Sequence, residues 1–194
     1  MDTDATTLTR SQAARRDRVI RAALDLGASG GYDAVQMRDV SARADVAMGT
    51  IYRYFSSKDE LLVAGLAGWV EHVRKRTVRR VPQGGTLADR VADTLTEAST
   101  LSEGQARLVR TLMTAIGSPD PSIGQYRDQV QDGIDAMISA ALEGASDVDV
   151  AGVTRIIHHV WSSAFARWVS GQTSAAQISA DLRSAAHLLL DGKS

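Results

Sequence analysis

This chain of 194 residues has no cysteine, three prolines and few aromatic residues, namely three tryptophans, four tyrosines and two phenylalanines. The lack of cysteine excludes disulfides, thiol nucleophiles and thiolate metal sites. No apolar run approaches the ~20 residues that a membrane-spanning helix needs, and the polar residues 1–9 lack the apolar core of a signal peptide. We therefore expect a cytoplasmic protein that does not enter the membrane.

The charges are distributed unevenly along the chain. Residues 1–80 carry 14 Lys and Arg against 10 Asp and Glu, a balance of +4, whereas residues 81–194 carry 8 against 13, a balance of −5. A basic first part indicates a polyanionic partner for that part alone. A chance fluctuation would give the same balance, so charge alone does not decide between the two.

The pattern of apolar residues predicts an all-α protein of about nine helices. The prolines, Pro82, Pro119 and Pro121, fall in predicted loops, and no stretch alternates apolar and polar residues as a strand would. The turn at Val81–Gly85 is the expected domain boundary. We predict a disordered arm at 1–12, a DNA-binding domain at 13–60, and a second domain at 61–194 whose linking helix covers about 58–80. Predicted helices cover about 15–29, 36–44, 47–55, 58–80, 86–102, 104–117, 123–144, 149–170 and 174–190.

The second and third predicted helices form a helix-turn-helix around Asp45 and Val46. At ~100° per residue, Ile51 and Phe55 mark the buried side of the third helix, so Gly49 and Arg53 point outward. Glycine lets a nucleic-acid backbone approach closely, and arginine can read a guanine edge. A solvated helix that carries two tyrosines is the alternative. The outward face is flanked by Met48, Thr50, Tyr52 and Tyr54.

The whole of residues 15–65 resembles the TetR family of bacterial transcriptional regulators. The matching residues are Gly31-Tyr32, Arg38-Asp39-Val40, Ala44, Val46, the run Gly49-Thr50-Ile51-Tyr52-Arg53-Tyr54-Phe55, and Ser57-Lys58-Asp59-Glu60-Leu61. Within that family the DNA-binding part is most similar to the KstR-type repressors of sterol catabolism. The resemblance implies a repressor that binds an inverted-repeat operator in double-stranded DNA as a homodimer.

The resemblance also implies roles for single residues. Tyr52, Tyr54 and Lys58 match phosphate contacts, and Met48, Thr50 and Arg53 fall where the family reads bases. Two positions depart from the family pattern. Gln36 replaces a threonine whose hydroxyl contacts a phosphate in the family. The side-chain amide of Gln36 would instead bond a phosphate or an adenine edge. Asp45 replaces the usual turn glycine, a change that its tolerance of left-handed backbone permits. The predicted DNA-binding set is Gln36, Arg38, Met48, Gly49, Thr50, Tyr52, Arg53, Tyr54 and Lys58.

The second part is predicted to bind an apolar or amphipathic ligand, which the resemblance implies to be a sterol-derived or fatty-acyl molecule, with a drug-like effector as the alternative. Ile157, Trp161, Phe165 and Trp168 share one side of the eighth helix. A packed core would show the same stripe, so both interpretations stay open. His158 lies beside this stripe. It either forms a hydrogen bond to the ligand or has its hydrogen bonds satisfied within the protein itself. The predicted ligand set is Trp69, Met113, Ile116, Ile134, Met137, His158, Trp161 and Phe165.

The last two predicted helices are expected to form the homodimer interface, as the resemblance implies. The apolar face of the last helix consists of Ile178, Leu182, Ala185, Ala186 and Leu189. Burial inside one chain is the alternative for this face.

No enzyme signature is complete. The end of a phosphate-binding loop at Gly192–Ser194 lacks the required first glycine, since His187 stands there, and no strand precedes it. His158 and His159 are neighbours on one helix and cannot share a metal. We expect no catalytic residue, metal or cofactor. A helical sensor or small-molecule-binding protein that has lost its DNA function is the remaining alternative, and the intact Tyr52, Arg53, Tyr54 and Lys58 argue against it.

Overall fold

The computed structural model describes residues 9–82, 84–99 and 105–193, and in these residues it contains nine α-helices and no strand. The all-α prediction is therefore confirmed. Apart from the start of the first helix, the helices begin and end within three residues of their predicted bounds wherever those bounds are described. They are α1 (Arg10–Gly30), α2 (Met37–Ala44), α3 (Met48–Tyr54), α4 (Lys58–Val78), α5 (Leu87–Ser99), α6 (Ala106–Ile116), α7 (Gly124–Ala141), α8 (Val150–Val169) and α9 (Ala175–Leu190).

Helix α1 begins earlier than the sequence indicates. Thr9 is its N-cap: the Thr9 hydroxyl accepts a hydrogen bond from the Gln12 amide, and the Gln12 side chain accepts one from the Thr9 amide at 2.8 Å. This reciprocal capping box satisfies two of the free amides of the first turn. The predicted disordered arm therefore does not extend over residues 10–12, and its residues 1–8 lie outside the described residues.

The chain divides into two compact units, one holding the described residues of 1–65 and 104–124, the other those of 66–103 and 125–194. The first unit thus includes α6, which the sequence assigned to the second domain. Helix α6 packs on α1 at Gly27, where an added Cβ would lie 3.0 Å from Thr111 Cγ2. The Thr111 hydroxyl also donates to the Gly27 carbonyl at 3.3 Å. This close approach depends on a pairing between residues far apart in sequence.

The start of α4 is capped by two serines. The Glu60 amide donates to Ser57 Oγ at 3.1 Å, a bond typical of a serine three residues before a glutamate. The Glu60 carboxylate, however, accepts from the amide and the hydroxyl of Ser56, at 2.6 and 2.8 Å, and not from Ser57. The helix is therefore capped through both serines, and its first turn begins at Lys58.

In the second unit, α9 packs on α5 and α8. Ile178, Leu182 and Ala186, three members of the apolar face predicted for the dimer interface, are fully buried within the single chain. Their burial corresponds to the alternative kept for this face, an intramolecular core. Ala185 and Leu189 are only half-buried.

No described helix is long and apolar enough to cross a membrane.

Candidate nucleic-acid interface

The turn between α2 and α3 fixes the angle at which α3 leaves its partner helix. Asp45 adopts left-handed backbone angles, φ 50° and ψ 54°, and caps α2. The next residue, Val46, is buried, and its carbonyl accepts from Ser41 Oγ at 2.7 Å. The predicted use of Asp45 in place of a turn glycine is confirmed by these angles. A helix-turn-helix results, with α3 as its second helix.

We expect Asp45→Val to lower the free energy of unfolding by about 1–2 kcal/mol, because a β-branched residue is strained at positive φ. Asp45→Gly should change it by less than about 0.5 kcal/mol, since glycine adopts this conformation without a clash. Urea unfolding followed by circular dichroism measures both. A valine variant as stable as the parent protein would contradict the left-handed turn.

Helix α3 turns one apolar edge inward and one polar edge to solvent. Ile51 and Phe55 are at most 1% exposed, whereas Gly49 and Arg53 are exposed, as the helical wheel predicts. Tyr52 is 51% exposed, and Met48 and Thr50 are half-buried beside it. The outer face of α3 therefore displays a cation, a hydroxyl and an aromatic ring side by side.

No contact within the described part of the chain requires a glycine at position 49. A Cβ built there would meet no described atom within 4 Å, and the residue has ordinary helical geometry. Glycine within a helix costs roughly 1 kcal/mol relative to alanine. A residue that weakens the helix without easing any internal contact is typical of a surface where another molecule approaches the backbone closely.

The two residues after Tyr52 differ in their accessibility. The Arg53 guanidinium lies 5.8 Å from the centre of the Tyr54 ring and is exposed. The Tyr54 hydroxyl, in contrast, is buried and has no hydrogen-bond partner among the described residues. The predicted phosphate contact of Tyr54 thus finds no support in this arrangement, because the hydroxyl is not displayed on the outer face.

The start of α2 presents the other two predicted DNA-binding residues. Arg38 is exposed over 89% of its side chain, and Asp39 lies 3.7 Å from its guanidinium. Gln36 is the N-cap residue of α2, but its side chain makes no capping bond. Its amide donates instead to the Asp33 carbonyl at 2.9 Å, which leaves the amide oxygen accessible. Arg38 is thus available for an anion, while Gln36 is partly engaged.

Lys58 stands at the first position of α4, over the ring of Tyr32. The Lys58 ammonium lies 3.8 Å from the ring centre, and the Tyr32 hydroxyl donates to the Asp59 carboxylate. Burial, followed by this hydrogen bond and the charge of Asp59, raises the pKa of Tyr32 to about 12. The hydroxyl therefore remains a donor at neutral pH. Tyr32 belongs to the family motif, but no local feature of the sequence indicates its contact with Lys58 and Asp59.

Helix α1 packs against both α2 and α3. The Arg18 guanidinium donates to the carbonyl of Ala44 at 3.4 Å, at the C-terminal end of α2. Arg16 stacks on the buried Phe55 ring at 5.0 Å, and Arg43 of α2 pairs with Asp25 of α1 at 3.2 Å. These three arginines therefore join α1 to α2 and α3, whereas within the described residues the guanidinium groups of Arg53 and Arg38 interact only with the next residue of their own helix.

In the second unit, the predicted aromatic stripe forms a ladder along α8. Trp161 stacks on Phe165 with ring centres 6.1 Å apart, and Phe165 meets Trp168 edge-on at 6.2 Å. The three rings are 5–7% exposed, and Ile157 on the same side is fully buried. The rings therefore line the interior of this unit.

The other predicted ligand residues lie in different surroundings. Met137 is buried, and Trp69 and Ile134 are half-buried, all three in the second unit. Met113 and Ile116 are half-buried on α6, which belongs to the first unit. The residues predicted to bind the ligand therefore do not all lie in one unit.

His158 faces a groove between α7 and α8. Its Nδ1 atom lies 2.5 Å from the Asp135 carboxylate, and its side chain is 16% exposed. The groove has a volume of about 710 Å³ and is lined mainly by polar side chains, with Arg155 and His159 beside His158. His158 thus has a partner of its own, which is the satisfied state that the sequence analysis kept as an alternative.

Two buried hydroxyls were not singled out by the sequence analysis. Thr77 of α4 and Thr94 of α5 are at most 2% exposed, and neither hydroxyl has a hydrogen-bond partner in the structure. A buried, unpaired polar group costs about 1–3 kcal/mol, so each one calls for an explanation such as a bound water or a ligand. The sequence signal for them was weak, because threonine within a helix is common.

Comparisons with known proteins agree with this geometry. Residues 19–64 match the model of bacterial regulatory proteins of the tetR family, and residues 84–189 match that of the tetracyclin repressor-like C-terminal domain. The chain is 35% identical over 181 residues to the HTH-type transcriptional repressor KstR of Mycolicibacterium smegmatis, which covers 93% of this chain and 89% of that protein.

Solved structures show the same fold. A TetR transcriptional regulator from Rhodococcus sp. RHA1 superimposes with a TM-score of 0.76 at 25% identity, covering 96% of this chain and 100% of that one. FadR of Thermus thermophilus, a TetR family repressor solved with lauroyl-CoA, gives a TM-score of 0.70 at 19% identity, covering 91% and 94%. The helix-turn-helix, the outward face of α3 and these matches lead to one conclusion: this chain belongs to the TetR family of bacterial transcriptional regulators.

Proposed function

We propose that this protein is a cytoplasmic, homodimeric repressor that binds an inverted-repeat operator and is released from it by an apolar or amphipathic small molecule. The observation that carries the proposal is the outer face of α3, where a Cβ added at Gly49 would meet no atom of the described residues within 4 Å and the exposed Arg53 lies one turn away. This combination suits a helix that lies in the major groove of DNA.

The proposed contacts divide into two kinds. Arg53 reads a guanine edge, while Thr50 and Met48 contact neighbouring bases or their methyl groups, with Gly49 allowing the backbone to come close. Tyr52, Lys58 and Arg38 contact phosphates, and the free oxygen of Gln36 accepts from an adenine edge. Tyr54 is omitted from the phosphate contacts, because its hydroxyl is buried.

The proposed dimer uses the outer faces of α8 and α9. Leu188 of α9 is 87% exposed and Ile156 of α8 is 41% exposed, so each leaves apolar surface that a second copy can cover. A groove of about 310 Å³ runs along this surface, with Arg167 on one helix and Asp181 on the other. A second copy related by a two-fold axis would cover it. Two copies of α3 would then enter major grooves about 34–36 Å apart.

The proposed ligand is a fatty-acyl or sterol-derived molecule, and we favour its coenzyme A thioester. The aromatic ladder of α8 supplies apolar surface in the second unit, and the unpaired hydroxyls of Thr77 and Thr94 supply polar contacts there. The lauroyl-CoA bound to FadR of T. thermophilus supports this ligand class.

Release of the dimer from DNA requires the ligand to bind more tightly to a conformation in which the spacing of the two α3 helices does not fit the operator. The equilibrium shifts by at most the difference in the ligand's free energy of binding to the two states. An effect of a hundredfold on operator affinity therefore needs about 2.7 kcal/mol of preference for the released state.

Selection from a random pool of duplex DNA, at physiological salt, tests the DNA-binding part of the proposal. We expect enrichment of an inverted repeat whose half-sites lie about one helical turn apart. Searching the source genome with that repeat would then identify the regulated genes. Salt-sensitive binding with no enriched sequence would contradict sequence-specific recognition.

Titration of the selected duplex complex with lauroyl-CoA tests the ligand part, with free coenzyme A as the matched control. We expect fluorescence anisotropy to report a loss of operator affinity of about tenfold or more with the thioester and none with coenzyme A alone. Equal responses to both compounds would contradict a pocket for the acyl chain. If neither compound acts, the acyl-CoA assignment is wrong, while the DNA-binding result stands.

A further inference from the structure

The side chain of Lys58 is held by an aromatic ring that comes from another part of the chain. Tyr32 lies in a short 3-10 turn, Tyr32–Ala34, directly after Gly31 ends α1 at φ 81°. Its ring centre is 3.8 Å from the Lys58 ammonium. A cation above a ring face is attracted by the ring quadrupole. A free lysine side chain carries about 2 kcal/mol of rotamer entropy, so the ring restricts a side chain that would otherwise be mobile.

A hydrogen bond of the Tyr32 hydroxyl holds the ring in place. The Tyr32 hydroxyl donates to Asp59, the residue that follows Lys58 in the first turn of α4. A hydroxyl that donates to a carboxylate places more electron density on its ring, which favours a cation on the ring face. The raised pKa of Tyr32, about 12, keeps this donor protonated. The same hydrogen bond links the turn after α1 to the start of α4.

The hydrogen bond also engages the carboxylate of Asp59, the residue next to Lys58 in the sequence. Asp59 accepts from Tyr32, and within the described residues no carboxylate forms an ion pair with Lys58. The other lysine of α4, Lys75, is in contrast 3.2 Å from Glu71. The ring therefore orders the Lys58 ammonium without cancelling its charge, and its N–H donors stay available to an anion.

We propose that Tyr32 is a positioning residue for DNA binding, its ring holding the Lys58 ammonium at the N-terminus of α4 where a DNA phosphate is bound. This inference rests on the proposed DNA-binding role of Lys58. Tyr32 itself touches no base, so its loss weakens binding equally on all sequences.

Nuclear magnetic resonance can observe the stacked lysine before any residue is changed. The chain has three lysines, Lys58, Lys75 and Lys193. After labelling with ¹³C-lysine, we expect the ε-methylene protons of Lys58 to be shifted upfield by the ring current, relative to the exposed Lys193. Tyr32→Phe should retain the shift and Tyr32→Leu should abolish it. Identical ε-methylene signals for Lys58 and Lys193 in the parent protein would overturn the proposal.

A double-mutant cycle on a short mixed-sequence duplex tests the consequence for DNA. Tyr32→Leu should weaken binding about two- to fivefold in the parent protein, the range of an exposed cation–π contact. The same change should have no further effect in the Lys58→Ala background, because the two residues act as one unit. Lys58→Ala should lower the log–log salt slope by about one unit per protomer. Tyr32→Phe, which keeps the ring but loses the hydrogen bond to Asp59, should weaken binding less than Tyr32→Leu does, and Lys75→Ala is the matched charge control.

Two results would overturn the positioning role. One is a Tyr32→Leu loss of equal size with and without Lys58, when both variants melt at the parent temperature. The other is a Tyr32→Phe loss as large as that of Tyr32→Leu, which would assign the effect to the hydroxyl and not to the ring. Failure of the proposed function is distinguishable from both, because the parent protein itself would then show no salt-dependent binding to the duplex.

Discussion

Arg53→Ala is expected to lower the affinity for the selected inverted repeat by about tenfold to a hundredfold per half-site, the size of one bidentate contact to guanine. Affinity for a mixed-sequence duplex should fall far less, because one lost charge removes only one non-specific attraction. The ratio of the two affinities, measured by fluorescence anisotropy at one salt concentration, reports lost sequence preference separately from lost binding.

The geometry explains why this effect should be large. Arg53 is on the outer edge of α3, two residues from the fully buried Ile51 and Phe55 on either side, so the helix axis is fixed while the guanidinium is exposed. Arg43→Ala is the matched control, because that arginine of α2 pairs with Asp25 of α1. An unchanged affinity ratio for Arg53→Ala would contradict its role in reading a base.

Trp161→Ala should lower the free energy of unfolding by about 3–5 kcal/mol, the usual cost of removing a large buried aromatic side chain. Trp161 is 7% exposed and stacks on Phe165 at 6.1 Å, so truncation removes both apolar burial and the ring contact. Ser163→Ala, an exposed position of the same helix, should change stability by less than about 0.5 kcal/mol. Urea unfolding of the two variants makes the comparison.

A milder variant of Trp161 tests whether this residue lines a ligand pocket or only packs in the core. Trp161→Phe keeps an aromatic ring in the ladder, so we expect a folded protein that binds the selected duplex as the parent does. If Trp161 lines the ligand pocket, lauroyl-CoA should release this variant less readily from DNA. A Trp161→Phe protein that responds to lauroyl-CoA as the parent does would assign the residue to the core alone.

The helices and the DNA-binding face could be predicted because their signals are local. Ser57 caps α4 within one turn, Asp45 adopts the turn conformation by its own preference, and Ile51 and Phe55 are one helical turn apart. Each of these features depends on residues that are close in sequence. The TetR-family motif concentrates such local features in about fifty residues, which is why the first part of the chain could be interpreted most fully.

The features that could not be predicted depend on residues distant in sequence. Gly27 and Thr111 bring α6 to the first unit across 84 positions, and the Tyr32–Asp59 bond joins residues 27 positions apart. The burial of the Tyr54 hydroxyl has no local signature either. In the second unit, an aromatic stripe predicts burial but gives no sign of whether a ligand or another helix covers it.

Methylation protection of guanine N7 in the selected duplex tests the central claim most directly, because N7 lies in the major groove where α3 is proposed to bind. We predict two protected clusters of guanines on one face of the DNA, about one helical turn apart, with protection in both lost for Arg53→Ala. Protection at a single cluster, or an unchanged pattern with the Arg53→Ala protein, would contradict a dimer that reads its operator through α3.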